Sequence, residues 1–153
     1  MSENIKPKVY LAGAINACTV EECRDWREEV KTKLGDVVEY LDPMVRDYRG
    51  VELEPGMAAE IVELDKKDVS QADIILVHYE KPSVGTAMEI LFAFNLGIYI
   101  ILIDKTGSPL SPWLLYHATD IVGSIDQAVE KIKKVAEQFT IYEVQTWEDD
   151  GGV

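Results

Sequence analysis

The sequence predicts an α/β fold in which a parallel β-sheet is covered by helices on both faces. Short, continuously apolar runs rich in β-branched residues recur along the chain, as in strands that are buried on both sides. Amphipathic helical patterns separate these runs. Because strands alternating with helices form βαβ units, the strands are expected to be parallel. The chain has 153 residues, 47% of them hydrophobic, which suffices for one domain with a full core.

Five strands and four helices are predicted in alternation. The predicted strands are Val9–Ala12, Val37–Leu41, Ala72–Tyr79, Ile98–Ile103 and a short one near Asp120–Val122. The predicted helices are about Val20–Leu34, Met57–Gln71, a helix within Glu80–Gly97, and about Ser124–Phe139. The expected architecture is a single-domain, doubly wound, five-stranded sheet in a flavodoxin-like or Rossmann-like three-layer sandwich.

The two ends of the chain are predicted to lie outside the folded domain. Residues 1–7 are polar and are expected to form a flexible N-terminus. Residues 8–140 form the predicted domain. Residues 141–153 are acidic and end in glycines, which predicts a frayed C-terminal tail.

The net charge of −13 limits the partners of this protein. A surface that holds nucleic acid polymers or anionic membranes gains from positive charge, so neither partner is expected. A small anion held by local arginines remains compatible. Arg46 and Arg49 lie in the irregular segment after the second strand, and a loop of this length at a strand end is often functional. The alternative is a solvated loop in which both arginines pair with neighbouring acids.

Cysteine usage and hydropathy predict a cytoplasmic protein. Cys18 and Cys23 have neither metal-ligand nor redox-motif spacing, and two cysteines do not make a secreted disulfide framework. No long apolar span or signal peptide precedes the first strand.

Glu89 is the most informative residue of the sequence. It lies in a helical segment whose other side chains are almost all apolar, shortly after the central strand. One explanation is a capping box, in which Glu89 follows the cap residue Thr86 by three positions. The other is a catalytic carboxylate at the carboxyl end of a parallel strand, where open α/β sheets hold their ligands. The sequence pattern leaves both open.

Other chemistries lack their motifs. The chain has no GxGxxG, GxxxxGK[ST] or GxSxG sequence, and His78 and His117 have no metal-ligand spacing. We therefore expect no cofactor and no metal. What remains is a carboxylate pair, Asp65 and Glu89, on consecutive helices that flank one strand. Two carboxylates in different environments can divide the roles needed to cleave a glycosidic bond.

Several segments together resemble the nucleoside 2-deoxyribosyltransferase superfamily, which includes N-glycosidases acting on nucleoside 5′-monophosphates. The resemblance covers residues 8 to about 135. Its segments are Val9–Ile15, Trp26-Arg27, Asp42-Pro43, Asp65 with Ala72-Asp73 eight residues later, Pro82–Ile90 and Ser111-Pro112-Trp113.

The resemblance implies roles for three residues. It identifies Glu89 as the nucleophile that attacks the anomeric carbon and Asp65 as the proton donor to the base. Tyr10 matches a position near the nucleophile. A leaving base departs more easily when protonated, so burial or proximity to Glu89 is expected to raise the pKa of Asp65. Asp68 is the weaker candidate for this role.

The resemblance also implies a set of substrate-binding residues. The turn after the first strand is expected to lie against the ligand, and free backbone N–H groups at Val84 to Thr86 form a natural anion site. Ser111 is implied as a contributor from a subunit interface, because family members build sites between protomers. The implied set is Gly13, Ala14, Ile15, Asp42, Arg46, Arg49, Ser83, Gly85, Thr86 and Ser111.

Two departures from the family pattern bear on the substrate. The transferases usually carry an acidic residue six positions before the nucleophile, whereas this chain has Ser83, as the nucleotide hydrolases do. The hydrolases in turn often carry serine at the position of Ala14, so one expected phosphate contact is missing. The resemblance, with Ser83 in place of the acidic residue, therefore implies a homo-oligomeric N-glycosidase that releases the free base from a (deoxy)nucleoside 5′-monophosphate, with the base-exchanging transferase as the alternative. A non-catalytic nucleotide-binding module and a purely structural domain stay open.

Overall fold

The computed structural model describes residues 5–46, 48 and 50–150, with residues 140–150 described as backbone only. Strands and helices alternate along these residues. The strands are β1 (Lys8–Gly13), β2 (Glu39–Leu41), β3 (Ile74–Tyr79), β4 (Tyr99–Asp104) and β5 (Asp120–Val122). The helices are α1 (Val20–Leu34), α2 (Met57–Gln71), α3 (Val84–Asn95), α4 (Pro112–His117) and α5 (Ile125–Asp150), with a short 3-10 helix at Pro43–Val45.

The five strands form one sheet in the order β2-β1-β3-β4-β5, and every neighbouring pair is parallel. The predicted fold class is thus confirmed, and the strand order is that of flavodoxin-like sheets. The chain crosses from one half of the sheet to the other between β1 and β3. At such a point the flanking helices diverge and leave a crevice at the carboxyl ends of the strands.

Alternate residues of each strand enter two separate cores. In β1, Val9 and Leu11 pack on one face beneath α1 and α5, while Tyr10 and Ala12 face the opposite side beneath α2, α3 and α4. This alternation is the two-residue period of a strand that is covered on both faces. It places the Tyr10 side chain on the same side of the sheet as α2 and α3.

Four differences from the predicted elements stand out, beyond shifts of one residue at strand ends. Strand β2 begins at Glu39 rather than Val37, because the Glu39 N–H already bonds the carbonyl of Pro7, just before β1 begins. Strand β3 begins at Ile74, after the Asp73 N–H bonds the carbonyl of Lys8. The last helix continues past Phe139 to Asp150, and the sequence has no Gly or Pro between Phe139 and Gly151. Part of the expected tail is therefore helical.

The fourth difference is α4, a short helix that was not predicted. The Ser111 side chain accepts a hydrogen bond from the Trp113 N–H at 3.2 Å and so caps this helix, while Pro112 occupies its first position. Of the helices described here, none has the length and apolarity to cross a membrane.

Candidate active site

A cavity of about 380 Å³ lies at the carboxyl ends of β1 and β3, on the α2 and α3 side of the sheet. The turn after β1, the segment after β2, one face of α2 and the first turns of α3 form its walls. Its lining residues are Gly13, Ile15, Asn16, Pro43, Arg46, Tyr48, Glu52, Leu53, Ala58, Ile61, Val62, Asp65, Ser83, Gly85, Thr86 and Glu89. Both predicted catalytic carboxylates therefore face one cavity of a size suited to a small ligand.

The first turn of α3 shows why the capping explanation for Glu89 is wrong. The cap residue is Ser83, whose Oγ accepts a hydrogen bond from the Thr86 N–H at 3.3 Å. Glu89 is therefore six residues after the cap, in the second helical turn, and cannot close a capping box. The Thr86 N–H is occupied by Ser83, so the expected anion site loses one amide. Helix geometry leaves the N–H groups of Val84 and Gly85 without intrahelical acceptors.

Glu89 is a partly buried carboxylate at the base of the cavity. Its Oε2 is buried and has no hydrogen-bond partner among the described residues. Burial, reinforced by the negative charge of Asp65, raises the pKa of Glu89 from 4.5 to about 8, while Tyr10 and Arg27 act in the opposite direction. A carboxylate that keeps its proton near neutral pH is unusual, and such perturbed groups concentrate at functional sites.

Tyr10 lies beneath Glu89 in the floor of the site. Its side chain is fully buried, and its hydroxyl, although it interacts with the Glu89 carboxylate, does not reach full hydrogen-bond geometry with any described group. Burial and the negative charges of Glu89 and Asp65 raise the pKa of Tyr10 far above its ordinary value, so the phenol stays protonated. A neutral O–H donor is thus available to Glu89.

The Asp65 carboxylate forms an ion pair with Arg46. Arg46 Nη2 donates to Asp65 Oδ1 at 3.1 Å and also lies 2.7 Å from Asp68 Oδ2, so one guanidinium joins two carboxylates of α2. Burial raises the pKa of Asp65, Arg46 lowers it, and Asp68 raises it, with a net shift upward. The neighbouring carboxylate that raises this pKa is Asp68 rather than Glu89.

Two glycines at the cavity have different surroundings. A Cβ on Gly13 would lie 2.9 Å from the Trp26 ring and 3.3 Å from the His78 carbonyl, so close packing of Trp26 against the strand end requires glycine there. A Cβ on Gly85 would meet nothing within 4 Å. Gly85 therefore leaves open space over the first turn of α3.

The structure brings most of the predicted site residues together. Glu89, Asp65, Gly13, Ile15, Arg46, Ser83, Gly85 and Thr86 line the cavity, and Tyr10 lies beneath it. Ala14 is beside the cavity in the same turn but is not part of its lining. Ser111 is exposed at the start of α4, outside the cavity. Arg49 lies outside the described residues.

Asp42 is predicted to bind substrate, but its carboxylate has other contacts. It accepts a hydrogen bond from the Met44 N–H at 2.9 Å, pairs with Lys31 at 2.8 Å and lies 3.5 Å from Arg27 Nε. It does not line the cavity.

Sequence reasoning missed several residues that line the cavity or lie next to it. Asn16, Tyr48 and the apolar pair Ile61 and Val62 belong to its walls, and no motif marks them. Arg27 lies behind the site with only 1% of its surface exposed. Its position four residues after Cys23, on the apolar face of α1, was the signal that could have found it.

A second depression, of about 600 Å³, lies on the opposite side of the sheet between α1 and α5. Trp26, His78, Lys33 and Lys105 line it together with several carboxylates. It is larger than the first cavity but contains neither Asp65 nor Glu89, and its charges are of both signs. Among the described residues, no group of three or more His, Cys, Asp and Glu side chains is arranged to hold a metal ion.

The structure is an α/β protein with a cavity at the switch point of a parallel sheet. The family described as "Nucleoside 2-deoxyribosyltransferase like" matches residues 6–106. This chain belongs to that family. The match contains all of the cavity residues.

Several solved structures share the fold of this chain. A 2-deoxyribosyltransferase from Bacillus psychrosaccharolyticus is 20% identical, with a TM-score of 0.66 over 80% of this chain and 90% of its own. The CMP N-glycosidase BcmB of Clostridium botulinum is 17% identical, with a TM-score of 0.55 over 82% and 98%. A conserved protein from Enterococcus faecalis V583 is 17% identical, with a TM-score of 0.66 over 85% and 99%. Comparison with curated protein sequences gives no significant match.

Proposed function

We propose that this protein cleaves the N-glycosidic bond of a nucleoside or 2′-deoxynucleoside 5′-monophosphate and releases the free base. The observation that carries the proposal is Glu89, a carboxylate with a raised pKa and an unpartnered buried oxygen, in one cavity with Asp65. A purely structural glutamate would be expected to have its oxygens satisfied. An oxygen kept free at the base of a cavity is suited to attack a ligand atom.

The reaction proceeds through a glycosyl ester. A Glu89 oxygen attacks C1′ of the sugar while the C1′–N bond breaks, and Asp65 delivers a proton to the departing base. The ester is then opened by water, which loses a proton to Asp65 and regenerates the Glu89 carboxylate. The transition state resembles an oxocarbenium ion, which the negative charge of Glu89 stabilises.

The two carboxylates must hold one proton between them in the reactive form. Before substrate binds, the raised pKa of Glu89 keeps that proton on Glu89, while Arg46 favours the ionised form of Asp65. Catalysis needs the reverse distribution, with Glu89 ionised and Asp65 protonated. The carboxylates therefore titrate as a coupled pair, and kcat/KM falls as pH rises through about 8, where the pair loses its shared proton.

The first turn of α3 supports a 5′-phosphate in the substrate. The Ser83 hydroxyl accepts from Thr86 and still has its own O–H to donate, and the N–H groups of Val84 and Gly85 are free at the positive end of the helix. Arg46 lines the same cavity, and its buried Nε has no hydrogen-bond partner among the described residues. These donors match phosphate oxygens.

Two other functions compete with this one. A 2-deoxyribosyltransferase would use the same residues and differ only in passing the glycosyl group to a second base instead of water. A non-catalytic nucleotide-binding module would keep the cavity without turnover. The transferases usually carry an acidic residue at the position of Ser83. The serine of this chain therefore favours the nucleotide hydrolase over the transferase.

A homo-oligomer is part of the proposal. Large apolar side chains of α3 and α4 are exposed, among them Met88 at 67%, Trp113 at 70% and Tyr116 at 72%. Exposed apolar groups on adjacent helices are typical of association surfaces. Ser111 begins α4 next to this surface, where a second copy could bring it to a neighbouring cavity. Light scattering gives the mass in solution, and a monomer at micromolar concentration would contradict this part. The cytoplasmic setting stays a prediction.

The three functions are separated by one assay of base release. The protein is incubated with nucleosides and with nucleoside monophosphates, with and without a free acceptor base, and products are followed by chromatography. Release from monophosphates without an acceptor supports hydrolysis, product only with an acceptor supports transfer, and saturable binding without product supports the binding module.

Two variants test the role of Glu89 in the same assay. Glu89→Ala is expected to lose turnover by at least about a thousandfold, in the range seen when a nucleophile is removed. Glu60→Ala, which removes an exposed glutamate of α2, is the matched control and is expected to keep it. Full turnover by Glu89→Ala would refute the assignment.

A further inference from the structure

Arg27 is a charged side chain in the core of the domain. It belongs to α1, is 1% exposed, and its guanidinium carbon lies 4.5 Å from the Trp26 ring centre. Burying a guanidinium is unfavourable unless its charge and its N–H groups are used, and an apolar side chain would pack in the same place without that cost. The contacts of Arg27 therefore indicate what it does.

The guanidinium lies where β1 extends beyond the end of β2. The register places Leu41, the last residue of β2, opposite Tyr10. The carbonyl of Pro7 bonds β2 through Glu39, and successive carbonyls alternate in direction. The carbonyls of Leu11 and Gly13 thus point to the same side, past the end of β2.

Arg27 donates hydrogen bonds to the part of β1 that extends past the end of β2. Its Nη2 donates to the carbonyls of Leu11 at 3.2 Å and Gly13 at 3.3 Å, and its Nη1 donates to the carbonyl of Cys23 at 2.5 Å. Unpaired buried carbonyls would be costly. One side chain thereby ties the carboxyl end of β1 to α1, directly behind Tyr10 and the turn that lines the cavity.

The positive charge of Arg27 also acts on titratable groups of the site. Its nearest counterion is Asp42, 3.5 Å from Nε. Arg27 lowers the pKa values of Glu89 and Tyr10, whereas Asp65 raises both. The other charged groups on this side, Arg46 and Asp68, act on Asp65.

We infer that Arg27 is a positioning residue, which ties the carboxyl end of β1 to α1 and places a buried positive charge behind the Glu89 side of the cavity. The functional meaning of this inference rests on the proposed role of Glu89 as nucleophile. The effect of Arg27 on Glu89 does not depend on turnover and can be measured without a substrate.

The test is a titration of Glu89 in the full-length protein. The glutamate carboxyl carbons are labelled with ¹³C, and the Glu89 signal is assigned by its loss in Glu89→Gln. Its midpoint is then compared in the wild type, Arg27→Met, which removes the charge at similar length, and Arg27→Lys, which keeps it. We expect Arg27→Met to raise the midpoint by at least about half a pH unit and Arg27→Lys to leave it within about 0.3 of the wild type.

A third variant covers the case in which Arg27→Met does not fold. Asp42→Asn keeps a side chain that can accept from the Met44 N–H but removes the counterion of Arg27. The unscreened guanidinium then acts more strongly on Glu89, and we expect the midpoint to fall. If the midpoint stays unchanged in Asp42→Asn and in every folded Arg27 variant, Arg27 has only a structural role and the inference is wrong.

Kinetics distinguish this inference from the proposed function. If the enzyme is active, the alkaline limb of kcat/KM follows the Glu89 midpoint in each variant, whereas a merely structural role lowers turnover without moving that limb. If no substrate is cleaved but the midpoint shifts as expected, the proposed function fails and the assignment of Arg27 to Glu89 stands.

Discussion

Replacing Glu89 by glutamine is expected to stabilise the protein as it removes the proposed nucleophile. Glutamine keeps the shape of the side chain but cannot ionise. The pKa of Glu89 is about 8 in the folded protein, against 4.5 for the ordinary side chain. At about 1.4 kcal/mol per pKa unit, ionising Glu89 in the fold costs at most about 5 kcal/mol. The cavity admits water, which solvates part of the charge, so we expect a gain of about 2–4 kcal/mol for the variant at pH 9.

The gain must depend on pH in one direction. Because the folded pKa is raised, the contribution of Glu89 to stability is fully present below about pH 4.5 and is lost as pH rises through about 8. The advantage of glutamine is therefore small at pH 5 and largest at pH 9. Urea unfolding of both proteins at pH 5, 7 and 9 measures it, with Glu60→Gln at an exposed position of α2 as the control.

The difference between the unfolding free energies of the two proteins isolates the contribution of Glu89, since every other titratable group is present in both. A variant that is less stable than the wild type at all three pH values would refute the reasoning, because Glu89 would then be a satisfied structural residue. A gain that does not change with pH would show that Glu89 is ionised throughout and that its pKa is not raised.

Three further predictions concern the remaining residues of the site. Ser83→Asp keeps a good helix cap but places a negative charge next to the proposed phosphate site. It should reduce kcat/KM for monophosphates at least about tenfold more than for nucleosides. An equal loss for both substrates would show that no phosphate binds at Ser83. Asp65→Asn should lose activity about a hundredfold on ordinary bases and little on a substrate whose leaving group is already a stable anion, and equal losses would show that Asp65 is not the acid. Gly85→Ala should keep the thermal midpoint, since its Cβ meets open space, yet raise KM several-fold; an unchanged KM would mean that substrate does not approach this turn.

The sheet could be predicted because its strands are buried on both faces. Runs such as Ile74–Val77 and Ile100–Ile103 are apolar throughout, and every one of these residues is fully buried. The helix boundaries of α1 and α2 follow from amphipathic period and were confirmed at Val20–Leu34 and Met57–Gln71. Local pattern and tertiary packing agree in these elements.

Predictions failed where two local solutions were equally good. Ser83 and Thr86 lie three positions apart, and both are residue types that are favoured at a helix N-cap. The packing of α3 on the sheet decides between them, and Ser83 is the cap. The end of α5 was misjudged because an acidic, Gly-terminated segment was taken as frayed, although it contains no helix breaker before Gly151.

The sequence predicted the two carboxylates of the site but not the arginines that interact with them. Glu89 stood out as an acid among apolar residues, and Asp65 was paired with it because the two lie on consecutive helices that flank one strand. Arg46 bonds both Asp65 and Asp68 from an irregular segment whose path no periodicity describes. Arg27 satisfies carbonyls that are free only because β2 is short, which is a property of the assembled sheet.

Trapping the glycosyl ester on Glu89 tests the central claim most directly. A substrate with fluorine at C2 of the sugar slows breakdown of the ester, because fluorine destabilises positive charge at the neighbouring carbon. The account predicts that the intact protein gains the mass of one glycosyl group, that fragmentation places it on Glu89, and that Glu89→Gln gains none. A substrate that is turned over with no adduct, or with the adduct on another residue, would contradict it.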